Sequence, residues 1–345
     1  MRQSAAFLRS LTLMFGRDYQ FWMGNRHATK MQKYTDDPSC LEDGGFWAVL
    51  VTFEGQYHFA KFRKVHDAPF PESPWSVLER PWRTSLQELD YMSYVHAIRQ
   101  EISAGSVYQV NACRELSHVI DQKKQNLAGL FARMQYANPA PFASYLKIPG
   151  FEIASASPER FLSRNGDQLI TSPIKGTIRW DEEDFGEKDK AENLMIVDLM
   201  RNDLSQIAEE GSVEVSELFR REKHPGLTHL VSDVQAKIKA GASWAQILAA
   251  TTPPGSVSGA PKSAALSIIA EHEVAPRGPY CGALGWIHGD RAELAVAIRT
   301  FWNTGDEWLR FGTGAGITWG SQPAQEWEET QLKARNLISI AGGTL

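Results

Sequence analysis

The sequence predicts an α+β protein built mainly from antiparallel β-sheet, and two observations support that fold class. Strand-like runs follow one another as hairpins, instead of alternating strictly with helices as parallel sheets require. The clearest hairpin joins residues 46–53 (FWAVLVTF) to residues 56–62 (QYHFAKF) through a turn at Glu54 and Gly55. The hydrophobic content of 43% and the charged content of 22% are those of a globular protein with a large core.

The remaining elements follow from periodicity. A helix over 85–104 is predicted by an apolar stripe that ends before Gly105 and consists of Leu89, Met92, Val95, Ile98 and Ile102. Further strands are predicted at 107–112, 143–148, 152–156, 282–287, 291–302 and 309–312, and further helices at 127–135, 188–203, 263–271 and 325–340.

Composition excludes several classes of protein. A net charge of −5 argues against nucleic acid as the main partner. No apolar run reaches the roughly 18–20 residues that a membrane span needs. The cysteines Cys40, Cys113 and Cys281 are odd in number and far apart, which is typical of reduced thiols in a cytoplasmic protein.

The segment Ser172-Pro-Ile-Lys-Gly-Thr177 holds one lysine between a proline and a glycine. Pro173 and Gly176 predict a turn around Lys175, which keeps that lysine off a solvated helix face. A lysine becomes a nucleophile only where desolvation or a nearby cation holds its amine neutral. The environment of Lys175 therefore decides which reaction the protein runs.

Two helical segments carry paired carboxylates. Asp189 and Glu192 are three residues apart and share a helix face, and Glu326 and Glu329 repeat the spacing with Lys333 one turn further on. Carboxylates from separate helices can hold Mg²⁺, which takes few protein ligands and fills its coordination shell with water and anionic substrate. The alternative is two solvated helix faces with ordinary charge pairs.

Four other features have a structural and a functional interpretation. The run Gly312–Gly316 predicts either a tight turn or a set of N–H groups that face an anion. His229 begins an alternating apolar run, where histidines are commonly packed in the core. Arg299 lies in a strand-like apolar run, so it needs a ligand carboxylate or a structural ion pair. Tyr280 is by default a core aromatic residue.

Eight segments occur in one order along the chain: SPERF (157–161), PIKGT (173–177), AENLMIVDLMRND (191–203), GSVSGAPK (255–262), RGPYCGALGW (277–286), AIRT (297–300), GTGAGI (312–317) and E-x-x-E-x-x-x-K (326–333). Together they closely resemble the chorismate-utilising enzymes, the family of anthranilate, aminodeoxychorismate, isochorismate and salicylate synthases. The resemblance covers roughly residues 85–340. It implies antiparallel sheets packed as a sandwich with helices outside, a catalytic domain over 85–345 and a short strand-rich region over 1–84.

The resemblance also implies residue roles. Glu192 and Glu329 match the Mg²⁺-binding glutamates, and Asp189 and Glu326 match acidic positions that support the metal through water. The substrate-binding positions are matched by Tyr280 and Arg299 for the enolpyruvyl side chain, and by Gly314, Ala315, Gly316 and Lys333 for the ring carboxylate. His229 matches the histidine near the C4 hydroxyl, and Glu159 matches the glutamate that assists loss of that hydroxyl.

Two positions select a branch of the family. Isochorismate and salicylate synthases resemble one another in having a basic lysine at the position of Gln109, so the glutamine favours amination over water attack. Aminodeoxychorismate synthases read PIKGT with a nucleophilic lysine, which matches Lys175. The implied reaction is Mg²⁺-dependent amination of chorismate at C4 through a covalent adduct on Lys175, in 4-aminobenzoate and folate biosynthesis. The alternative is the large component of anthranilate synthase.

No G-x-C-x-G nucleophile of a glutamine amidotransferase occurs in the sequence. We therefore expect ammonia to come from a separate glutamine amidotransferase subunit, in a heterodimer, or from solution.

Overall fold

The structure, a computed structural model, describes residues 18–179, 185–224 and 227–345. Its α+β architecture confirms the predicted fold class. Within the described residues, one antiparallel sheet contains 18 strands, and a separate parallel pair is formed by β5 (Leu78–Pro81) and β20 (Gly342–Thr344).

The strands of the large sheet are β1 (Gln20–Met23), β2 (Arg26–Thr35), β3 (Phe46–Val51), β4 (Tyr57–Asp67), β6 (Arg83–Thr84), β7 (Gln109–Val119), β8 (Phe142–Ile148), β9 (Phe151–Ser157), β10 (Arg160–Asn165), β11 (Gln168–Ser172), β12 (Ile174–Arg179), β13 (Glu214–His224), β14 (Leu227–Lys237), β15 (Gly259–Ala260), β16 (Ala283–His288), β17 (Arg291–Val296), β18 (Thr300–Asn303) and β19 (Trp308–Ile317). The helices are α1 (Glu88–Ser103), α2 (Leu127–Ala137), α3 (Glu187–Ser205), α4 (Trp244–Thr251), α5 (Lys262–His272) and α6 (Pro323–Ala341). None of the helices in the described part of the chain is both long and apolar enough to cross a membrane.

Strand pairing can be followed through the large sheet without a break. It runs from β7 through β19, β18, β9, β8, β1, β2, β4, β3, β16, β17, β10 and β11 to β14, which also pairs with β12 and β13. Strands β1 to β4 thus lie inside the sheet, between β8 and β16 of the later sequence. The division at residue 84 stays a sequence prediction.

The two ends of this strand order approach each other. The loop 255–258 leads into β15, which pairs with β7 at one end of the order. The same loop is hydrogen-bonded to Lys175 on β12 at the other end. The curled sheet therefore brings distant parts of the sequence to one place.

Helix α1 begins and ends close to its predicted bounds, but its buried face differs from the predicted stripe. Tyr91, Tyr94, Val95 and Ile98 are buried, whereas Leu89 is 76% exposed. The aromatic rings of Tyr91 and Tyr94 cover more apolar area than leucine, so the helix turns them inward and leaves Leu89 outside.

Three local predictions were wrong, and each concerns a glycine or a positive φ. Lys175 lies in strand β12 next to a register irregularity, with Gly176 at φ 82°, and not in a turn. The predicted strand 291–302 is two strands, separated by a segment in which Arg299 has φ 52°. The run Gly312–Gly316 is part of β19, paired with β7 along its whole length, and not a tight turn.

Candidate active site

Lys175 stands at the centre of the candidate site. The irregularity in β12 directs its side chain toward the loop 255–258, where Nζ donates a hydrogen bond to the carbonyl oxygen of Ser256 at 3.0 Å. Burial lowers the pKa of Lys175, while the carboxylates of Glu159 and Glu192 oppose that shift. The amine thus has a neutral acceptor and a desolvated setting, which are the conditions for a lysine nucleophile.

Glu159 lies between β9 and β10 and is 4% exposed. Its carboxyl group is hydrogen-bonded to the side chain of Ser256 and to the backbone of Ile174. Burial raises the pKa of Glu159 to about 7, and the two hydrogen bonds and Lys175 only moderate that rise. An acid with this pKa can donate or accept a proton near neutral pH.

Helices α3 and α6 bring carboxylates to the same place. Glu192 on α3 and Glu329 on α6 both act electrostatically on Lys175. The Lys333 ammonium forms an ion pair with Glu329 at 2.6 Å and donates to the carbonyl oxygen of Gly314 at 3.1 Å. The predicted set Lys175, Glu159, Glu192, Glu329, Lys333 and Gly314 is therefore one cluster.

Asp189 and Glu326, the two carboxylates predicted to support the metal, lie where they also serve the fold. Asp189 accepts a hydrogen bond from the Gly186 N–H at 3.3 Å at the start of α3, and it also packs against Gly176. Glu326 is 5% exposed in the first turn of α6. Among the described residues, no three His, Cys, Asp or Glu side chains come close enough to hold a metal by themselves. The roles of Asp189 and Glu326 near a metal stay predictions.

A glycine face on β19 forms one wall of the site. Gly312, Gly314 and Gly316 alternate along the strand, so all three lie on the same side of the sheet. A methyl group on these residues would collide with the Tyr280 ring, with the Cys113 sulfur and with the Gln109 amide, in that order. Side chains from other elements therefore lie directly on this backbone.

Gln109 lies over Gly316 and is fully buried. Neither its amide nitrogen nor its amide oxygen has a hydrogen-bond partner among the described residues. A buried polar group without a partner costs about 1–3 kcal/mol, so the Gln109 amide calls for a partner such as a water molecule or a ligand. The amide can both donate and accept but cannot act as a strong base.

Arg299 has an unusual backbone and an incomplete environment. Its φ of 52° places a bulky residue in the left-handed region, a strain that concentrates at functional sites. Burial lowers the pKa of its guanidinium, and no carboxylate in the described part of the chain pairs with it. No structural ion pair with Arg299 occurs among the described residues, and the role of Arg299 toward a ligand carboxylate stays a prediction.

His229 and Tyr280 are both buried, as the structural interpretation of the sequence predicts. His229 lies on β14 opposite Thr177 of β12, in the strand next to Lys175. The Tyr280 hydroxyl is 4.0 Å from the Cys113 sulfur, and the ring packs on Gly312. Both residues border the cluster, and their contacts with a substrate stay predictions.

The sequence did not reveal the roles of Ser256 and Asn111, which hold the site together. Ser256 accepts hydrogen bonds through its carbonyl oxygen from Lys175 and from the Asn111 amide nitrogen, the latter at 3.3 Å. Ser256 stands in the motif GSVSGAPK, so its position was visible in the sequence. The hydrogen-bonding role of its main-chain carbonyl was not visible there, because every residue type has a carbonyl group.

A cluster of lysines and glutamates in which burial shifts the pKa of Lys175 and Glu159 is typical of an enzyme site. The model of the family described as chorismate binding enzyme matches residues 25–339. The chain belongs to this chorismate-binding enzyme family.

Curated relatives of similar identity are named for two different activities. An anthranilate synthase component 1 of Haloarcula marismortui is 36% identical over 79% of this chain and 56% of its own length. An aminodeoxychorismate synthase component 1 of Klebsiella aerogenes is 34% identical over 78% of this chain and 61% of its own length. The chain thus spans about three fifths of the length of these curated relatives.

Solved structures support the fold. Anthranilate synthase component I from Streptococcus pneumoniae aligns with a TM-score of 0.79 over 94% of both chains, at 22% sequence identity. At that identity the similarity establishes the architecture, and the reaction has to be argued from the site.

Proposed function

We propose that this protein aminates chorismate at C4 to give 4-amino-4-deoxychorismate, with Lys175 as the nucleophile. The observation that carries the proposal is the setting of the Lys175 amine, which donates to the neutral Ser256 carbonyl in a desolvated pocket beside Glu159. The substrate class follows from family membership.

The chemistry uses groups that are already adjacent. The neutral Lys175 amine forms a bond to C2 of chorismate, the two conjugated ring double bonds shift, and the C4–oxygen bond breaks. Glu159, with a pKa of about 7, protonates the departing hydroxide, so that water leaves. Ammonia then forms a bond at C4, the double bonds shift back and the lysine is expelled, so the sum is chorismate plus ammonia giving product plus water.

Other groups bind and orient the substrate. The unpartnered guanidinium of Arg299 suits the enolpyruvyl carboxylate, and the Lys333 ammonium beside Gly314 suits the ring carboxylate. The buried amide of Gln109 can hydrogen-bond ammonia but cannot deprotonate water, which favours amination over hydration.

Mg²⁺ fits the carboxylates of the site. Glu192 and Glu329 come from different helices and both influence Lys175, and a pair of carboxylates with room for water and substrate is what Mg²⁺ commonly uses. When bound, Mg²⁺ would act as a Lewis acid on the ring carboxylate.

The proposal includes a partner. The name "component 1" of the relatives implies a second component. We infer that a glutamine amidotransferase supplies ammonia to this chain in the cytoplasm.

The alternative function is that of anthranilate synthase component I, in which C2 is aminated and pyruvate is eliminated. It is retained because relatives named for that activity are as similar to this chain as those named for C4 amination. Product analysis with chorismate, Mg²⁺ and ammonium separates the two. We expect 4-amino-4-deoxychorismate, whereas anthranilate and pyruvate without an added lyase would overturn the proposal.

The covalent step has its own test. Chorismate-treated protein without ammonia should gain the mass of chorismate less one water, located on Lys175 by peptide mapping. The Lys175→Ala variant should not gain this mass. The Lys61→Ala variant is the matched control, since Lys61 pairs with Asp43 at the protein surface, and it should form the adduct normally.

A further inference from the structure

A buried ion pair lies behind the candidate site. Glu273 follows α5, and Arg277 lies one turn further along the chain. Their side chains are 8% and 3% exposed and form two hydrogen bonds, Nη2 to Oε1 at 2.7 Å and Nε to Oε2 at 2.8 Å. Burying two charges is costly unless their remaining donors and acceptors are satisfied, so the other contacts of this pair matter.

The other donors of Arg277 reach two main-chain carbonyl groups. Nη1 donates to Val257 at 2.9 Å, and Nη2 donates to Asn111 at 2.6 Å. Val257 belongs to the loop 255–258, and Asn111 belongs to β7. Glu273 also accepts a hydrogen bond from the Cys113 N–H at 3.0 Å on the same strand. The pair therefore ties the loop to β7.

The tied segments are those that hold Lys175. Ser256 directly precedes Val257, and its carbonyl oxygen accepts from Lys175 Nζ at 3.0 Å and from Asn111 Nδ2 at 3.3 Å. The Ser256 and Val257 carbonyl groups belong to successive peptide units of one short 3-10 turn, in which the Val257 N–H donates to the Pro254 carbonyl oxygen at 3.3 Å. Fixing the Val257 carbonyl therefore leaves only φ and ψ of Val257 through which the Ser256 carbonyl can move. The hydrogen bond from Asn111 Nδ2 also restricts the direction of the Ser256 carbonyl.

We propose that the Glu273–Arg277 pair positions the Lys175 amine for reaction by fixing the Ser256 carbonyl from behind. Arg277 is a positioning residue, because its side chain donates to Glu273 and to the two carbonyl groups and makes no hydrogen bond to Lys175. The planar guanidinium is needed because one group must serve a carboxylate and two carbonyls in fixed directions, which a lysine ammonium cannot do. The inference rests on the proposed role of Lys175.

Arg277→Lys is the direct test, because it keeps the positive charge and removes the planar guanidinium with its fixed N–H donors. Arg310→Lys is the matched control, since Arg310 forms the same i,i+4 pair with Asp306 away from the loop. Brief acetic anhydride labelling of both variants and the parent, followed by peptide mass spectrometry, measures the rate at Lys175 relative to exposed Lys237. We expect Arg277→Lys to slow labelling of Lys175 about 10-fold, because only the neutral amine reacts and a rise of about one unit in its pKa on loss of its desolvated setting lowers the neutral fraction tenfold. Arg310→Lys should leave the relative rate unchanged.

Chorismate consumption, whichever product forms, supplies the second measurement. For Arg277→Lys we expect kcat to fall about 10-fold with KM for chorismate within about twofold of the parent, the pattern of a lost positioning effect. A lower melting temperature with unchanged labelling and unchanged kcat would show a purely structural role and overturn the proposal.

Glu273→Gln keeps the test decisive if Arg277→Lys does not fold. This substitution retains the shape of the side chain and removes the charge that pairs with Arg277, so the rate of Lys175 labelling should again fall. Normal labelling in that variant would overturn the proposal. The labelling requires neither substrate nor turnover, so its result is independent of the product analysis that tests the proposed function.

Discussion

Arg277 and Arg299 are both withdrawn from bulk water, and the protein treats them in opposite ways. Burial alone would lower the pKa of Arg277, but Cys113 and Glu273 raise it well above its ordinary value. Burial lowers the pKa of Arg299, and no carboxylate in the described residues opposes that effect. The Arg277 guanidinium is paired with a carboxylate, whereas the Arg299 guanidinium has no ionic partner among the described residues.

This difference in pairing distinguishes an arginine that stabilises the structure, Arg277, from one that is available to a ligand, Arg299. A buried cation with internal partners fixes the structure around it, and removing it leaves the partners unpaired. A buried cation without partners destabilises the fold and gains stabilisation from an anionic ligand, which is why such groups are candidates for function. Position in the sequence does not distinguish the two arginines, but their surroundings do.

The largest expected effect tests this division through stability. Arg277→Met should lower the free energy of unfolding by about 3–5 kcal/mol, because it leaves Glu273 as an uncompensated buried charge. Arg299→Met should leave the free energy of unfolding unchanged or raise it. Urea denaturation of the two variants measures both changes. Equal losses would contradict the comparison.

The same pair of variants should diverge in binding. Arg299→Met should lower kcat/KM for chorismate about 100-fold, the effect of losing a charged hydrogen-bonded contact with a substrate carboxylate. Steady-state kinetics, with the disappearance of chorismate as the signal, measure the change. If kcat/KM stays at the parent value, Arg299 does not bind the substrate.

Glu159 gives an intermediate effect that depends on pH. Burial raises its pKa in the folded protein from 4.5 to about 7, so between these values the folded state holds a proton that the unfolded state has released. Stability from this group is therefore present below about pH 4.5 and is lost as the pH rises toward 7, by at most about 3 kcal/mol. Glu159→Gln should lack this loss.

Urea denaturation at pH 5 and at pH 8 measures the Glu159 effect. The variant should gain stability relative to the parent between the two pH values, because the parent must ionise a buried carboxyl group and the variant has none. A constant difference between parent and variant would show that the folded-state pKa of Glu159 is near its ordinary value.

The smallest effect comes from an exposed arginine. Arg201 pairs with Asp198 at 3.0 Å, but the two side chains are 51% and 78% exposed. Arg201→Ala should change the free energy of unfolding by less than about 0.5 kcal/mol, since solvent screens such a pair. The same denaturation series provides the measurement, and a loss as large as that of Arg277→Met would show that burial is not the deciding variable.

Much of the fold was predictable because hairpins and amphipathic helices leave periodic signals in the sequence. The hairpin of β3 and β4 and the helices α3 and α6 lie close to their predicted bounds. The misassigned segments share one cause. Gly312–Gly316 and Arg299 have local preferences that tertiary pairing overrides, and the positive φ of Arg299 leaves no trace in composition.

The candidate site also has one part that could be predicted from the sequence and one part that could not. Lys175, Glu192, Glu329 and Lys333 could be selected from motifs because the proposed chemistry uses their side chains. The hydrogen bonds of Arg277 could not be predicted, because two of its partners are carbonyl oxygens brought near by the curl of the sheet. Sequence motifs indicate which groups react, whereas the folded backbone decides how they are oriented.

The glycine face of β19 has a consequence for how this enzyme can change. Three alternating positions without side chains make this wall, and a methyl group on it meets the Tyr280 ring at Gly312, the Cys113 sulfur at Gly314 and the flexible end of Gln109 at Gly316. Point mutation is therefore most costly at Gly312 and Gly314. New substrate preferences must therefore arise from the residues that face the wall. Attempts to redirect this enzyme by design should leave the three glycines untouched and vary Gln109 first, since its unpaired amide costs stability that a replacement can recover.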